Sequence, residues 1–253
     1  MPSPSPITVF FVPGAWHSAQ SFAPVAQILR EEGFRTELIE LPSVGPLKHV
    51  GSFDPDVDVI RRRVSEAIAN GQRVAIVAHS YGGIPACQAL RDFVGRDGDG
   101  DGAARDKIVH LYFCTSFIIP ENASLIAAFG GNALPWFRVS EDGLEVNPDT
   151  PEHIFYNDVP EDKVGQLVRQ LKPQSYRVMH SPLTFAAWKH VPCTYLYCSR
   201  DNAIPPEIQK MMVEGTAAGY GIRTDEIDAG HSPHLTKPNE VAESIAKAIR
   251  STS

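Results

Sequence analysis

A serine held between small residues is the feature of this sequence with the clearest chemical meaning. Residues 74–83 read Val-Ala-Ile-Val-Ala-His-Ser-Tyr-Gly-Gly, an apolar run that ends abruptly at Ser80. A sharp turn between a strand and a helix can hold such a hydroxyl outward as a nucleophile, usually in the pattern G-x-S-x-G. Alanine takes the first glycine position here. We expect the small Ala78 and Gly82 to let the strand and the helix approach closely.

A serine hydroxyl becomes a nucleophile when a base accepts its proton and an acid orients that base. His231 follows the last predicted strand, so it lies where the ends of parallel strands converge. Asp201 follows the preceding predicted strand and is the expected orienting acid, with Asp228 as the alternative. The order Ser80, Asp201, His231, each after a separate strand, predicts a catalytic triad for acyl transfer.

Three other histidines lie near the expected site. His234 is expected to be a structural or rim residue, and the side chain of His79 is expected to point away from the serine across the turn. His17 lies in the loop after the first predicted strand, where it could line the substrate pocket without acting as the base. The residues expected to line this pocket are Trp16, His17, Trp136 and Phe137.

Acyl transfer also needs donors for the negative charge that develops on the carbonyl oxygen. Backbone N–H groups serve because they are fixed before the reaction begins. The N–H of Tyr81, directly after Ser80, is one candidate. The second is expected in the loop that reads Pro-Gly-Ala-Trp-His at residues 13–17, with Ala15 as the favoured donor.

The elements that must position these residues follow an alternating order. Apolar runs suited to buried strands alternate with helical patterns, which predicts an α/β fold with helices on both faces of the sheet. Strands are predicted at 7–12, 34–40, 73–78, 108–114, 194–198 and 223–227. Helices are predicted at 18–32, 54–70, 80 to about 94, and 239 to about 249. We therefore expect a mostly parallel, doubly wound sheet of about six strands in a single domain, 1–253.

Two segments interrupt this alternation. The stretch from about 118 to 190 is long, rich in aromatic residues and without a clear strand, so we expect a helical cap or lid inserted after the fourth predicted strand. Residues 97–102 read Asp-Gly-Asp-Gly-Asp-Gly and resemble half of a calcium loop. The twelfth position of such a loop would be Ile108, inside a strand, so a surface turn is favoured and no metal is expected.

The composition excludes several classes of function. The 253 residues are 43% hydrophobic and carry a net charge of −7, which argues against nucleic-acid and anionic-membrane partners. No apolar run reaches the length of a membrane span, and no secretory signal is recognisable, so a cytoplasmic location is expected. The four cysteines lack metal or redox spacing and are expected to be buried thiols. We expect a small-molecule substrate and no cofactor; the oligomeric state stays open, a homodimer included.

These residues resemble the α/β-hydrolase superfamily over nearly the full chain, and more narrowly its small esterase and hydroxynitrile-lyase branch. In that branch the first loop reads H-G-A-W-H and the serine turn reads G-H-S-Y-G-G. This sequence has P-G-A-W-H at 13–17 and A-H-S-Y-G-G at 78–83. The resemblance implies an esterase-type triad and oxyanion hole at the residues named above, and a helical cap over roughly 118–190.

Two departures from that branch narrow the expected chemistry. Pro13 replaces the histidine of the first loop and removes a backbone donor. The lyases place a lysine directly after the catalytic histidine to stabilise the leaving cyanide, and here that position is Ser232. We therefore expect a serine hydrolase that cleaves a small, largely apolar ester or lactone through an acyl-enzyme on Ser80. The alternatives are carbon–carbon cleavage or cyclisation of a ketide-like molecule by the same triad, and a binding protein without activity.

Overall fold

Parallel strands form the centre of the structure, a computed structural model that describes residues 6–95 and 102–252. In chain order the strands are β1 Ile7–Val12, β2 Arg35–Leu38, β3 Arg73–Ser80, β4 Ile108–Ser116, β5 Phe137–Val139, β6 Glu145–Pro148, β7 Gln174–Ser175, β8 Cys193–Cys198 and β9 Arg223–Ile227. The helices are α1 Ala23–Glu31, α2 Asp54–Ala69, α3 Gly83–Ala89, α4 Arg91–Val94, α5 Gly102–Arg105, α6 Leu125–Ala128, α7 Pro151–Ile154, α8 Glu161–Gln170, α9 Pro206–Lys210, α10 Pro233–Thr236 and α11 Pro238–Arg250. Shorter helical turns cover Ala19–Phe22, Tyr176–His180, Ala187–Lys189 and Met211–Thr216.

The main sheet has six strands in the order β2-β1-β3-β4-β8-β9, and every neighbouring pair is parallel. The prediction of a mostly parallel sheet of about six strands is confirmed, with strand ends that differ from the predicted ones by two residues at most. β3 and β4 lie at the centre and are buried almost throughout, as expected for strands covered on both faces. In the described part of the chain, no helix is long and apolar enough to cross a membrane.

Helices cover both faces of this sheet. Val25 of α1 and Ile245 of α11 share one buried cluster with Val77 of β3. Ile60 of α2 packs in the other cluster with Ile76, the preceding residue of β3. Alternate residues of one strand therefore face opposite helical layers, which is the doubly wound arrangement that the sequence predicts. The four cysteines are all free and buried, as expected.

Two predicted helices begin differently in the structure. β3 runs on to Ser80, and α3 begins only at Gly83, because Ser80 has a left-handed φ of 51° that cannot start a right-handed helix. The predicted helix at 18–32 opens with the 3₁₀ turn Ala19–Phe22, and α1 follows it. The predicted surface turn at 97–102 lies outside the described residues, apart from its last glycine.

The segment between β4 and β8 contains three helices, α6, α7 and α8, together with a small antiparallel sheet in the order β5-β6-β7. The prediction that this segment has no clear strand is wrong. Its strands have two to four residues, too few for an alternating pattern to stand out. The sequence signal for a hairpin in this segment was the Asp142-Gly143 pair, a dipeptide that favours hairpin turns. In the structure Gly143 has a φ of 65°, as such a turn requires.

Candidate active site

Ser80 lies at the carboxyl end of the central strand β3, in a strained backbone conformation. Its positive φ costs about 1–2 kcal/mol for a residue other than glycine. The strain is held by two hydrogen bonds to the Ser80 carbonyl, from Phe117 N at 3.1 Å and from Ser116 Oγ at 2.7 Å. The end of β4 therefore fixes the turn that presents the Ser80 hydroxyl.

Two glycines allow the loop after β1 to approach this turn. A Cβ on Gly82 would overlap the Pro13 carbonyl oxygen and lie 2.8 Å from Val12 O. A Cβ on Gly14 would lie 2.9 Å from the Cβ of Ser80. The sequence-based expectation assigned Gly82 to close packing of the strand and helix around the turn. The tightest contact is instead with the end of β1.

Gly82→Ala is expected to lower the free energy of unfolding by about 1–3 kcal/mol, because the new methyl group has to push the end of β1 away. Gly51→Ala is the matched control, since a Cβ there would have no neighbour within 4 Å. Urea unfolding of both variants measures the difference. Equal stability of the two variants would contradict the close approach at Gly82.

The structure brings Ser80, Asp201 and His231 together, each from the end of a different strand. His231 Nε2 lies 3.1 Å from Ser80 Oγ, and His231 Nδ1 lies 2.8 Å from Asp201 Oδ2. All three residues are buried, with 6%, 2% and 1% exposure respectively. A hydroxyl, an imidazole and a carboxylate in this order can move a proton away from the hydroxyl.

The carboxylate of Asp201 is held by donors on both oxygens. Oδ1 accepts from the backbone N–H groups of Ala203 and Ile204, both at 2.8 Å. Oδ2 accepts from Thr115 Oγ1 as well as from His231. Thr115 was not predicted; its only signal in the sequence is its place at the end of β4, next to β8. Asp228, the alternative acid, instead pairs with Arg200 at the surface, at 2.7 Å.

Residues of the inserted segment also hold the two loops that carry Asp201 and His231. Asp158 Oδ2 accepts from the backbone N–H of Gly230 at 2.9 Å, directly before His231. Asn157 Nδ2 donates to Arg200 O at 2.8 Å, directly before Asp201. These contacts join residues far apart in the chain and were not predicted. The insertion is therefore part of the scaffold of this site.

The two expected oxyanion donors lie beside the serine. Ala15 and Tyr81 both line the cavity at Ser80. Among the residues that the structure describes, neither of their backbone N–H groups has a hydrogen-bond partner. Two unpaired N–H groups at one cavity are the kind of donors that can stabilise an oxyanion.

The cavity at Ser80 is small and apolar. Of the expected pocket residues, Trp16, Trp136 and Phe137 line it, and their rings contact one another. Further apolar walls come from Phe117, Leu125, Met179, Ala203 and Ile204. No charged side chain lines the cavity in the described chain. It therefore favours a neutral, apolar group.

His17, the fourth residue expected in the pocket, is not among the residues that line this cavity. It lines a separate groove at the surface, together with Tyr156. Its Nδ1–H donates to Ala15 O at 2.8 Å, so its Nε2 accepts from the Tyr156 hydroxyl at 2.9 Å. Burial lowers the pKa of His17 to about 4, and a neutral ring with this tautomer follows. Its position braces the loop that carries Ala15.

His79 and His234 form a buried layer behind His231. The ring of His79 lies 4.7 Å from the rings of both His231 and His234, and its Nε2–H donates to the backbone carbonyl of His231 at 2.8 Å. His234 stacks on Phe22 at 4.3 Å and is fully buried, so it is a structural residue and not a rim residue. Burial, followed by the neighbouring histidines, holds the pKa of each well below its usual value.

The buried histidines predict acid sensitivity. Burial lowers the pKa of His17 and of His110 to about 4, whereas both titrate near 6.5 when unfolded. The unfolded chain therefore takes up these protons first, and the stability present above pH 6.5 is lost as the pH falls towards 4. Each of these two histidines should lower the free energy of unfolding by roughly 2 kcal/mol between pH 7 and pH 5.

Urea unfolding at pH 7 and pH 5 measures this loss. In His110→Gln the loss should shrink, because one of the contributing histidines is gone. His153→Gln is the control, since His153 is exposed, and it should show the full loss. An equal free energy of unfolding at both pH values in the unchanged protein would contradict the prediction.

Known proteins match this chain in sequence and in fold. The family described as the alpha/beta hydrolase family matches residues 9–244. "Probable hydrolase R7" of Phoma sp. (strain ATCC 20986 / MF5453) is 30% identical, over 94% of this chain and 96% of that protein. Methylesterase 2 of Arabidopsis thaliana is 24% identical over 92% of each chain. The crystal structure of a pyrethroid hydrolase from Sphingobium faniae JZ-2 shares the fold, with a TM-score of 0.77 and 17% identity over 98% of each chain.

The resemblance drawn from the sequence is thereby confirmed at the level of the family. The chain belongs to the alpha/beta hydrolase family and is an enzyme of that family.

Proposed function

We propose that the protein hydrolyses a small, largely apolar carboxylic ester or lactone through an acyl-enzyme on Ser80. The observation that carries this proposal is the pair of hydrogen bonds that joins Ser80 Oγ, His231 and Asp201, at 3.1 and 2.8 Å. A buried serine has no structural need for an imidazole that is itself oriented by a carboxylate. General-base activation of the hydroxyl explains all three groups together.

The reaction would proceed in two halves. Ser80 Oγ attacks the ester carbonyl while His231 Nε2 accepts its proton, and Asp201 stabilises the imidazolium. The backbone N–H groups of Ala15 and Tyr81 bind the oxyanion. The intermediate collapses to an acyl-enzyme, and the alcohol leaves with the proton from His231. Water then attacks the acyl group, with His231 again as the base, and the acid is released.

The cavity supports a neutral substrate. An ionised group placed among Trp16, Trp136 and Phe137 would lose its hydration without gaining a partner of opposite charge. The cavity is small, so a small acyl or alkyl group is the occupant that it favours. One relative is named a methylesterase, which supports an ester as the substrate class.

The surroundings of His231 speak against cyanohydrin cleavage. Ser232, the next residue, is fully buried, and its hydroxyl has no hydrogen-bond partner among the described residues. The described walls of the Ser80 cavity contain no lysine or arginine. A leaving cyanide would therefore find no cation to stabilise it, whereas an alcohol can leave with a proton from the imidazole.

A pair of matched esters tests the proposal. p-Nitrophenyl butyrate is neutral, and mono-p-nitrophenyl succinate has a similar length but ends in a carboxylate. We expect the butyrate ester to be hydrolysed with a kcat/KM at least about 100-fold higher, because the cavity offers the carboxylate no partner. Failure to hydrolyse any ester, combined with cleavage of a hydroxynitrile or a β-diketone, would contradict ester hydrolysis.

A further inference from the structure

Asp56 is a buried carboxylate inside an otherwise apolar stripe of α2. It is fully buried beside the buried apolar residues Val57 and Ile60, whereas Asp54 and Asp58 on the same helix are exposed. Burying a carboxylate is costly unless hydrogen bonds replace its hydration. Burial raises the pKa of Asp56, while its hydrogen bonds to Ser43 and Tyr81 oppose that shift. The carboxylate must therefore be held by what surrounds it.

One branch of its contacts leads to Tyr81. Asp56 Oδ2 accepts from the phenol of Tyr81 at 2.8 Å. The side chain of Tyr81 is fully buried, and Tyr81 directly follows Ser80. The backbone N–H of Tyr81 is one of the two proposed oxyanion donors. Anchoring the far end of this side chain fixes the residue that carries the donor.

The other branch leads to the loop of Ala15. Asp56 also accepts from Ser43, at 2.9 Å from the backbone N–H and at 2.6 Å from the hydroxyl. Ser43 Oγ in turn accepts from Gln174 Nε2 at 2.8 Å. Gln174 Oε1 accepts from the backbone N–H of Trp16 at 3.4 Å, and Trp16 directly follows Ala15.

Trp16 has little freedom apart from this contact. Its φ of 64° is left-handed, a conformation that its neighbours must hold in place. Its carbonyl accepts from Lys172 N at 2.9 Å, and its indole N–H donates to Val146 O at 2.8 Å. Val146 of β6 and Gln174 of β7 thus hydrogen-bond the small antiparallel sheet to the residue after Ala15. Gln174 also connects this sheet to Asp56 through Ser43.

The direction of the hydrogen bonds is the same throughout this network. Gln174 gives its amide hydrogen to Ser43, so the Ser43 hydroxyl gives its own hydrogen to Asp56. The phenol of Tyr81 also donates its hydrogen to Asp56, and the backbone N–H of Ser43 can only donate. Asp56 is the acceptor at which both branches end. An asparagine there would set an N–H₂ group against one of these donors.

We propose that Asp56 is a positioning residue of the oxyanion hole, which holds Tyr81 N–H through the phenol and Ala15 N–H through Ser43, Gln174 and Trp16. One buried carboxylate thereby fixes two donors that follow different strands, Ala15 after β1 and Tyr81 after β3. This inference rests on the proposed function, since an oxyanion forms only when Ser80 attacks a carbonyl.

Two conservative variants test it, Asp56→Asn and Tyr81→Phe, together with a matched control. The control is Tyr112→Phe, which also removes a buried phenol with one strong hydrogen bond, to Ser244 Oγ at 2.6 Å, but on β4 away from the cavity lining. Complete removal of one oxyanion donor costs about 10²- to 10³-fold in kcat, so loss of its positioning should cost about 10-fold or more. We expect this fall in kcat on p-nitrophenyl butyrate in both variants, with KM nearly unchanged, and wild-type kcat in the control.

A second readout separates positioning from stability. A trifluoromethyl ketone forms an oxyanion when Ser80 adds to it, whereas the corresponding secondary alcohol does not. The inhibition constant of the ketone should rise by the same factor as kcat falls, and that of the alcohol should stay constant. Thermal unfolding of all variants measures how much stability each substitution removes.

The inference is overturned if Asp56→Asn and Tyr81→Phe lose only stability, with kcat and ketone affinity equal to those of Tyr112→Phe. If Asp56→Asn does not fold, Tyr81→Phe decides, because the carboxylate keeps its two hydrogen bonds to Ser43 there. A wild-type enzyme that neither hydrolyses esters nor reacts with a fluorophosphonate would refute the proposed function itself. An active wild-type enzyme with insensitive variants would refute the role of Asp56 alone.

Discussion

Ser80→Ala is expected to abolish ester hydrolysis, with a fall in kcat of roughly a million-fold. Without Oγ no acyl-enzyme can form, and His231 has no hydroxyl to deprotonate at 3.1 Å. Only the oxyanion donors and the binding cavity would remain, and these alone give weak catalysis. The cavity is apolar and Ser80 is nearly buried, so the fold should tolerate the loss of one hydroxyl.

Ser232→Ala is the matched control for this experiment. Ser232 is also a buried serine, it adjoins His231, and its hydroxyl lacks a hydrogen-bond partner in the described part of the chain. We expect its kcat to stay close to that of the unchanged enzyme. Steady-state rates on p-nitrophenyl butyrate measure both variants. Retention of a tenth or more of the activity in Ser80→Ala, set here as the threshold, would remove Ser80 from the mechanism.

Asp201→Asn should lower kcat by about 10⁴-fold, the second largest effect we expect. Both carboxylate oxygens accept hydrogen bonds, from two backbone N–H groups on one side and from Thr115 and His231 on the other. An asparagine amide must turn its N–H₂ towards one of these sets. If it faces His231, it stabilises the tautomer whose Nε2 carries a proton, and that nitrogen can no longer accept the proton of Ser80.

Asp228→Asn is the control, and it also tests the acid that the sequence left as an alternative. Asp228 pairs with Arg200 at the exposed surface, so its replacement should leave kcat almost unchanged. Surface ion pairs of this kind contribute at most about 1 kcal/mol to stability. A larger loss of kcat in Asp228→Asn than in Asp201→Asn would reverse the assignment of the acid.

The sequence was enough to predict which residues that follow strands form the candidate site. Parallel strands bring their carboxyl ends to one edge, so the order of Ser80, Asp201 and His231 along the chain was enough to expect them together. The structure does bring them within hydrogen-bond distance. Tyr81 and Ala15 could be named as candidate donors for the same reason, because Tyr81 directly follows β3 and Ala15 lies in the loop after β1.

The hydrogen bonds that hold the loops of the site in place could not be predicted from the sequence. Asp158 reaches Gly230 across 72 positions of the chain, and Gln174 reaches Trp16 across 158. Such contacts depend on how the insertion folds over the sheet, and the short strands of the insertion carry no readable periodicity. His17 shows the same limit. Its place in the first loop was predicted correctly, but the direction of its side chain is set by Tyr156, a residue of the insertion.

Trapping the acyl-enzyme tests the central claim most directly. The enzyme is mixed with p-nitrophenyl butyrate, quenched with acid within the first turnovers, and digested for peptide mass spectrometry. We predict a burst of about one p-nitrophenolate per chain and a butyryl group on Ser80, both absent in Ser80→Ala and present in Ser232→Ala. Steady hydrolysis without a butyryl group on Ser80, or an unchanged burst in Ser80→Ala, would contradict the account.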